Sequence, residues 1–364
     1  MLQYVIVFDF LSMTVKEFNF EEKDKWNSFV MKHPFSNILQ TWEWGEVKKG
    51  KSWEVLRLGV FHKNAQIAAA QILVRNLPFH FQLYYSPYGP VIDWEMPYAQ
   101  EILENIRAYL KDLSDNRHLM WKIEPPLTSN EAQKYKALEA LEKIGFAKAN
   151  ESIQPQHTII VDLTKKENDL LESFEKDTRY SIRRAYKEDV EIKEFSNPLN
   201  NQPVKEFYDL YSTTSKRGKF PAREWQQFAR LWEEMAPHAA RCYQAWYKDK
   251  LLASSIVLTL NKKAYLVYAG SIRDPEYRNK FPSYLMQWET MLNLKKDGFE
   301  SYDLWGVVPK EQKDHPWSGI SLFKRGFKGT EKNYIGAYDL SLSPFYDFYK
   351  TLNKLRYKIT SHRQ

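Results

Sequence analysis

One run of segments occurs twice in this chain, and that repetition constrains the fold more than any single motif. In the first half "WEVLRLGVF" reads as a strand, "HKNA" as a turn and "QIAAAQILVR" as a second strand, with "LYYSPYGPVI" as a third. "MPYAQEILENIRAYLKDL" carries apolar residues at Ile102, Ile106, Leu110 and Leu113, a helical spacing, and "HLMWKIEPP" returns as a strand closed by prolines. The second half repeats the order. "RCYQAWY" and "LLASSIVLTL" flank the turn "KDK", "AYLVYAGS" is the third strand, and "PSYLMQWETMLNLKKDG" is a helix with proline at its start and glycine at its stop. "SYDLWGVV" is the returning strand. Each copy spans about seventy residues.

Strand, strand, strand, helix, strand is similar to the core order of the N-acetyltransferase (GNAT-like) fold. That likeness implies an α+β architecture in which the strands flanking a right-handed crossover helix splay apart and leave a slot for acyl transfer. Two copies predict two tandem GNAT-like domains facing a cleft. The expected boundaries are 14–152 for the first domain, with a C-terminal helix over 338–364 packing back on it, and 153–337 for the second. Between the repeats, 166–190 ("KENDLLESFEKDTRYSIRRAYKEDV"), "NNQPVKEFYDLYSTTSKRG" and "AREWQQFARLWEEMAP" read as helices.

A chain of 364 residues has room for two cores, and 43% hydrophobic with 27% charged residues is ordinary for a globular protein. Cys242 is the sole cysteine, which excludes an internal disulfide framework and a cysteine-built zinc site and agrees with a reducing cytoplasm. The opening "MLQYVIVFDFLSM" lacks a basic leader, carries Asp9 and is shorter than the roughly 20 residues that span a bilayer. It reads as a strand, or as an extension preceding a start at Met13, and not as a membrane anchor. The net charge of +7 suits polyanionic ligands without specifying one.

Several chemistries lack their residues. CoA-dependent members of this fold hold pyrophosphate on a glycine-rich loop at a helix N-terminus. Here the corresponding "SIRDPEYRNKFPS" has no glycine pair and places Pro282 at the helix start, so no cofactor, and CoA in particular, is expected. The eight histidines are scattered, with His80, His157 and His315 read as surface or loop residues, and no metal site is predicted. No G-x-S-x-G elbow occurs. Asp274 and Glu276 lie in the loop before the second crossover helix and read as solvated carboxylates or, less favoured, a general base.

Five stretches in order, "LQTWEWGEVKK" (39–49), "QPQHTIIVDLT" (154–164), "YAGS" (268–271), "YDLWGV" (302–307) and "SLFKRGF…YIGAYDL" (321–340), carry a further likeness. Through them the chain resembles the FemABX family of peptidoglycan peptidyl aminoacyltransferases, tandem GNAT-like proteins that extend the peptide stem of cell-wall precursors. Some members insert a coiled-coil arm into the second domain; the spacing here leaves no room for one. The resemblance implies transfer of an amino acid from aminoacyl-tRNA to a stem amine of a UDP-linked or lipid-linked muramyl pentapeptide. It implies Lys48 and Arg223 on the precursor's diphosphate, with Trp44 in the same motif as Lys48, and Tyr268 beside the acceptor peptide. A tyrosine that the family carries four residues after the arginine is Gln227 here. The family's Phe-Lys pair falls on Phe323 and Lys324, the lysine neutralising the oxyanion formed at the donor ester.

Lys324 already stands out on physical grounds. It lies in "SGISLFKRGFKG" among apolar residues, and a buried ammonium is costly unless an anionic or polar group meets it. For the tRNA, Arg179, Arg183 and Lys187 fall at i, i+4 and i+8 on one helix face, with Arg184 beside them and Lys328 and Lys332 further on. The plain reading of that stripe is a solvated face whose charges pair with Glu175, Asp177 and Glu188. The expected protein is a monomer without an integral membrane segment. Two other readings stay open: an amidotransferase with a different acceptor (a polysaccharide or lipid precursor, or a protein N-terminus), and a non-catalytic tRNA-binding protein.

Overall fold

The computed structural model describes residues 13–50, 53–113, 117–218 and 223–351. The opening apolar stretch before Met13 and the tail after Thr351 lie outside the described residues. The chain divides into two compact units, Met1–Gln154 with Tyr334–Gln364, and Pro155–Asn333.

In the first unit β1 (Met13–Glu17), β2 (Trp53–His62), β3 (Ala65–Asn76) and β4 (Gln82–Ser86) form an antiparallel run. β5 (Val91–Ile92) pairs with β3, β6 (His118–Ile123) lies parallel to β4, and β7 (Phe146–Lys148) stands at the sheet's far side. The stretch 83–92, expected as one strand, is two. Pro87 and Pro90 have no amide proton for a ladder, so the chain turns between β4 and β5. β3 is buried along most of its length, its Ala68-Ala69-Ala70 run being small enough for elements to approach on both faces. The helix Ala99–Asp112 lays Ile102, Leu103, Ile106 and Leu110 on the core, an amphipathic crossover between β4 and β6.

The second unit repeats the core order. β8 (His157–Asp162) and β9 (Val190–Phe195) frame it; β10 (Ala240–Tyr247), β11 (Lys250–Leu260) and β12 (Lys263–Ser271) run antiparallel. The helix Pro282–Lys296 crosses over to β13 (Ser301–Gly306), parallel to β12, and β14 (Thr330–Asn333) closes the edge beside β8. This crossover helix buries Leu285, Met286, Gln287, Trp288, Thr290, Met291 and Leu294. It is buried or half-buried nearly all round because the helix Lys176–Lys187 covers it from outside.

After β14 the chain returns to the first unit. Residues 338–341, expected as the start of a helix over 338–364, form β15 (Tyr338–Ser341), inserted between β6 and β7. Tyr338 and Leu340 alternate with Asp339 and Ser341, a period of two that a four-residue strand barely expresses. A helical turn follows only from Tyr346. No helix among the described residues is long and apolar enough to cross a membrane.

Candidate active site

The parallel register of β12 and β13 runs from Lys263↔Ser301 to Tyr265↔Asp303 and stops there, while β12 continues to Ser271 and β13 to Gly306. The strands therefore part over their C-terminal halves. On the β8 side the ladder is interrupted between Asp303 and Gly306, where Trp305 takes φ 62°, left-handed backbone for a bulky residue. The buried Asp303 carboxylate holds this kink. Its Oδ1 accepts from the Thr158 hydroxyl and from the Trp305 amide at 2.7 Å. The kink presents the Gly306 carbonyl to the Lys324 Nζ, which donates to it at 2.8 Å.

Lys324 comes from the helix Ser318–Arg325 and is 7% exposed. That helix is stitched to the end of β13: Val308 N donates to Ser321 Oγ (3.0 Å) and Arg325 donates to Val308 O (2.8 Å). Burial lowers the Lys324 ammonium to a pKa of about 8, with the Asp303 charge opposing the fall. Burial likewise raises Asp303 to about 6, against the hydrogen bonds from Thr158 and Trp305 and the charges of Lys324 and Lys332. Lys324 thus meets a backbone carbonyl and the field of a buried carboxylate. One of its three protons is spent on Gly306, leaving a dehydrated cation with donor capacity at the place where the strands diverge. Phe323 is half-buried beside it, edge-on to Tyr284 at 4.9 Å and to Phe327 at 5.3 Å, which fixes the helix on the core.

On the far part of β12, Tyr268 packs edge-on against Phe228 (5.0 Å) and Tyr211 (6.2 Å), and the exposed Arg223 guanidinium sits 5.7 Å over its ring. Burial raises the Tyr268 phenol above its ordinary pKa. Gln227 is exposed on the helix Trp225–Met235, and its neighbour Phe228 makes the aromatic contact with Tyr268. Gly270 of the Y-A-G-S strand lets the helix Gln202–Gly218 cross closely; a Cβ there would lie 3.1 Å from the Tyr211 backbone.

In the first unit Thr41 caps the short helix Trp42–Lys48. Arg57 anchors that helix, stacking 3.6 Å over Trp42 and donating to Trp42 O and Glu46, while Gln71 Oε1 accepts a hydrogen bond from Arg57 Nε. A Cβ on Gly45 would fall on the Arg57 guanidinium and the Gln71 amide, so the W-G step is a demand of packing. Trp44 is buried, and Lys48, one turn later, reaches 4.6 Å over its ring.

The structure brings together Phe323 with Lys324, Arg223 with Tyr268, and Lys48 with Trp44. It treats the basic stripe unevenly. Arg179 turns back to the carbonyls of Glu172 and Phe174, Arg184 pairs with Glu188, and Lys328 pairs with Glu175 at 2.5 Å, while Arg183 and Lys187 are exposed. Asp274 caps the turn Pro275–Lys280 by accepting from the Glu276 amide at 3.1 Å. His157 and His315 are hydrogen-bonded loop or strand-end residues, and His80 is exposed. Sequence reasoning missed Asp303 and Thr158; a lone aspartate inside the apolar "SYDLWG" was the available signal. It also missed Glu124, whose buried carboxylate accepts from the Tyr85 hydroxyl at 2.5 Å and the Ile153 amide at 2.6 Å.

Comparison with known proteins follows the same lines. The sequence profile of the FemAB family matches residues 22–243 and 226–354. A lipid II:glycine glycyltransferase of Staphylococcus epidermidis is 23% identical over 406 aligned positions, covering 92% of this chain and 94% of that protein. The UDP-N-acetylmuramoylpentapeptide-lysine N(6)-alanyltransferase of Weissella viridescens is 24% identical over 332 positions, covering 88% and 94%. The first span exceeds the 364 residues present here, so that alignment opens gaps in this chain. Among solved structures, the crystal structure of FemX superposes with a TM-score of 0.80 at 21% identity, covering 92% of this chain and 99% of its own. A tandem GNAT protein from the clavulanic acid biosynthesis pathway gives 0.55 at 12% identity, covering 92% and 99%. Both likenesses bear out the tandem GNAT-like fold.

Proposed function

From the premise that this chain belongs to the FemAB family, we propose that it takes an aminoacyl group from aminoacyl-tRNA and that Lys324 stabilises the transition state of the transfer. The protein is an aminoacyltransferase acting on the peptide stem of a peptidoglycan precursor, in the formation of interpeptide bridges; its relatives are named a lipid II:glycine glycyltransferase and a UDP-N-acetylmuramoylpentapeptide-lysine alanyltransferase. The observation that carries the role of Lys324 is its buried ammonium on the Gly306 carbonyl, where β12 and β13 part.

The stem amine attacks the ester carbonyl of the donor. A C–N bond forms, the carbonyl oxygen becomes anionic, and collapse breaks the C–O bond to the terminal ribose. The ribose oxygen leaves as a hydroxyl, taking up the proton that the amine gives away, directly or through water. The ester is already activated, so positioning and charge stabilisation suffice and no covalent enzyme intermediate is needed. Lys324 supplies the charge from a site that water does not screen. Below its pKa of about 8 it is the cation the oxyanion requires.

In the second unit Arg223 holds the acceptor's diphosphate. A guanidinium suits it through paired donors, and the Tyr268 ring beneath Arg223 keeps the fork oriented. Trp44 sets the direction of Lys48. The acceptor is the UDP-linked muramyl pentapeptide, no cofactor takes part, and the donor confines the reaction to the cytoplasm, where the protein works as a monomer. Arg183 and Lys187 contribute to RNA attraction.

The direct test is mass spectrometry of UDP-linked and lipid-linked muramyl pentapeptides after incubation with a mixture of charged tRNAs. The expected result is a mass increment of one or more amino acids on the UDP-linked acceptor, dependent on tRNA charging. Transfer to neither acceptor overturns the reading.

A further inference from the structure

Single apolar side chains at a protein surface are ordinary, but the first unit exposes several phenylalanines on one small platform. Two stretches far apart in sequence build it. The hairpin between β3 and β4 turns at 77–81, where the Leu77 amide donates to Phe81 O at 2.7 Å. Inside the turn Phe79 and His80 both take φ 62°, left-handed backbone that glycine or asparagine usually fills. The chain thus carries a bulky ring at the tip, 84% exposed, where sterics and solvation both disfavour it. After β15, Ser343 Oγ accepts from the Phe345 amide at 3.3 Å and a helical turn begins. Tyr346 is buried with Leu119 and Met120, and Tyr349, Leu77 and Phe81 pack against them. Phe345 and Phe348, one turn apart, are left outside at 51% and 66% exposure. The two stretches meet where Phe81 lies edge-on to Phe345, with centroids 5.9 Å apart.

The charge around these rings is of one sign. Arg75 is exposed where β3 enters the hairpin, and Arg117 adjoins it, its carbonyl accepting from the Gln82 amide. Glu54 on β2 is engaged by the Asn76 amide at 2.6 Å. From Ser343 to the end of the sequence there are five basic residues, Lys350, Lys354, Arg356, Lys358 and Arg363, against one acid, Asp347. Four of the chain's seven net positive charges therefore follow Leu342. In sequence, Phe345, Phe348, Leu352, Leu355 and Ile359 recur at steps of three and four, with lysines every fourth residue between them. That is the pattern of basic segments whose apolar side lies in a bilayer interface.

We propose that this face docks on an anionic lipid bilayer, with Phe79, Phe345 and Phe348 entering the interface and the basic residues on the headgroup phosphates. Charge selects the occupant. A second copy would bring the same positive charge against itself, whereas a surface of anionic lipids complements it. Aromatic rings held outward beside cations suit the boundary between headgroups and acyl chains. No helix among the described residues spans a bilayer, so the contact is peripheral. Such docking is independent of which acceptor the enzyme takes.

The test sediments the full-length protein with vesicles of phosphatidylcholine alone and of a phosphatidylcholine–phosphatidylglycerol mixture, across salt concentrations. The wild type is expected to bind the mixed vesicles, to leave the neutral ones unbound, and to lose binding as salt rises. Phe79→Ser combined with Phe348→Ser should lower partitioning by about tenfold or more, and Lys350→Gln by about fivefold. Circular dichroism should stay that of the wild type in these variants, since the two phenylalanines are exposed. Lys324→Met should bind vesicles as the wild type does, which separates docking from transfer. No binding to mixed vesicles, equal binding to neutral ones, or wild-type binding by the double phenylalanine variant would overturn the docking. A lipid-free dimer in sedimentation velocity that the same substitutions dissociate would make the face a contact between copies and overturn it as well.

Discussion

The two units use one scaffold and close it differently. In the first, β4 is paired with β6 along its length, Gln82↔His118 to Ser86↔Ile123, and the Glu124 amide extends the seam to Ser86 O at 3.3 Å. Just beyond, Tyr85, Glu124 and Gln154 form a buried knot, with Gln154 donating to both the Tyr85 hydroxyl and, through its amide, the carboxylate. In the second unit the equivalent pair, β12 and β13, separates after Asp303, and a cation from a later helix stands at the fork. Where the strands stay zipped, buried polar groups satisfy one another and the result is stability. Where they part, a charged group keeps unused valence and the result is capacity for chemistry. The crossover helices follow suit: the first is amphipathic, while the second is sealed beneath Lys176–Lys187, a sturdier backing for the unit that holds a buried charge.

The contrast breaks most easily at Lys324. Lys324→Met is expected to lower kcat by about 10² to 10³, the usual loss for one oxyanion donor, in a protein whose circular dichroism is that of the wild type. An equal loss from a substitution at the zipped seam would erase the distinction. Arg223→Ala is expected to raise acceptor KM by about 10- to 100-fold, as for a lost charged hydrogen-bond pair, with the smaller effect on kcat. Tyr85→Phe should cost about 1–2 kcal/mol of stability in denaturant titrations and leave kcat unchanged, since only the seam is touched.

Two pH measurements sharpen the picture further. The rate should fall as pH rises through about 8, where Lys324 loses its proton, and Asp303→Asn should move that limb lower by removing the charge that keeps the ammonium protonated. Asp303, raised from 3.8 to about 6, favours the folded state below about pH 4, and that contribution is lost as pH rises through 6. The stability of wild type relative to Asp303→Asn should therefore decline over that window.

Much of the scaffold was legible because it is periodic. β2, β3, β10 and β11 announce themselves by apolar runs bounded by turns, and the helix Ala99–Asp112 by its spacing. Short or locally overruled pieces were not. β15 is four residues beside a helical pattern, and β5 is cut from β4 by prolines. At the candidate site, Lys324 was visible as a charge in apolar company, but its partner Gly306 and the Asp303 carboxylate depend on a kink that no spacing encodes.

The late position of β15 has a consequence for how the protein is made. Everything the second unit needs has been translated once Asn333 is out, yet the first sheet still lacks an interior member, since β6 and β7 meet only through Tyr338–Ser341. Growth from the ribosome therefore reverses the usual N-terminal-first order. The half synthesised second is the first that can finish, and the half synthesised first must wait, with a gap in its sheet, for a strand translated after the whole of the second unit.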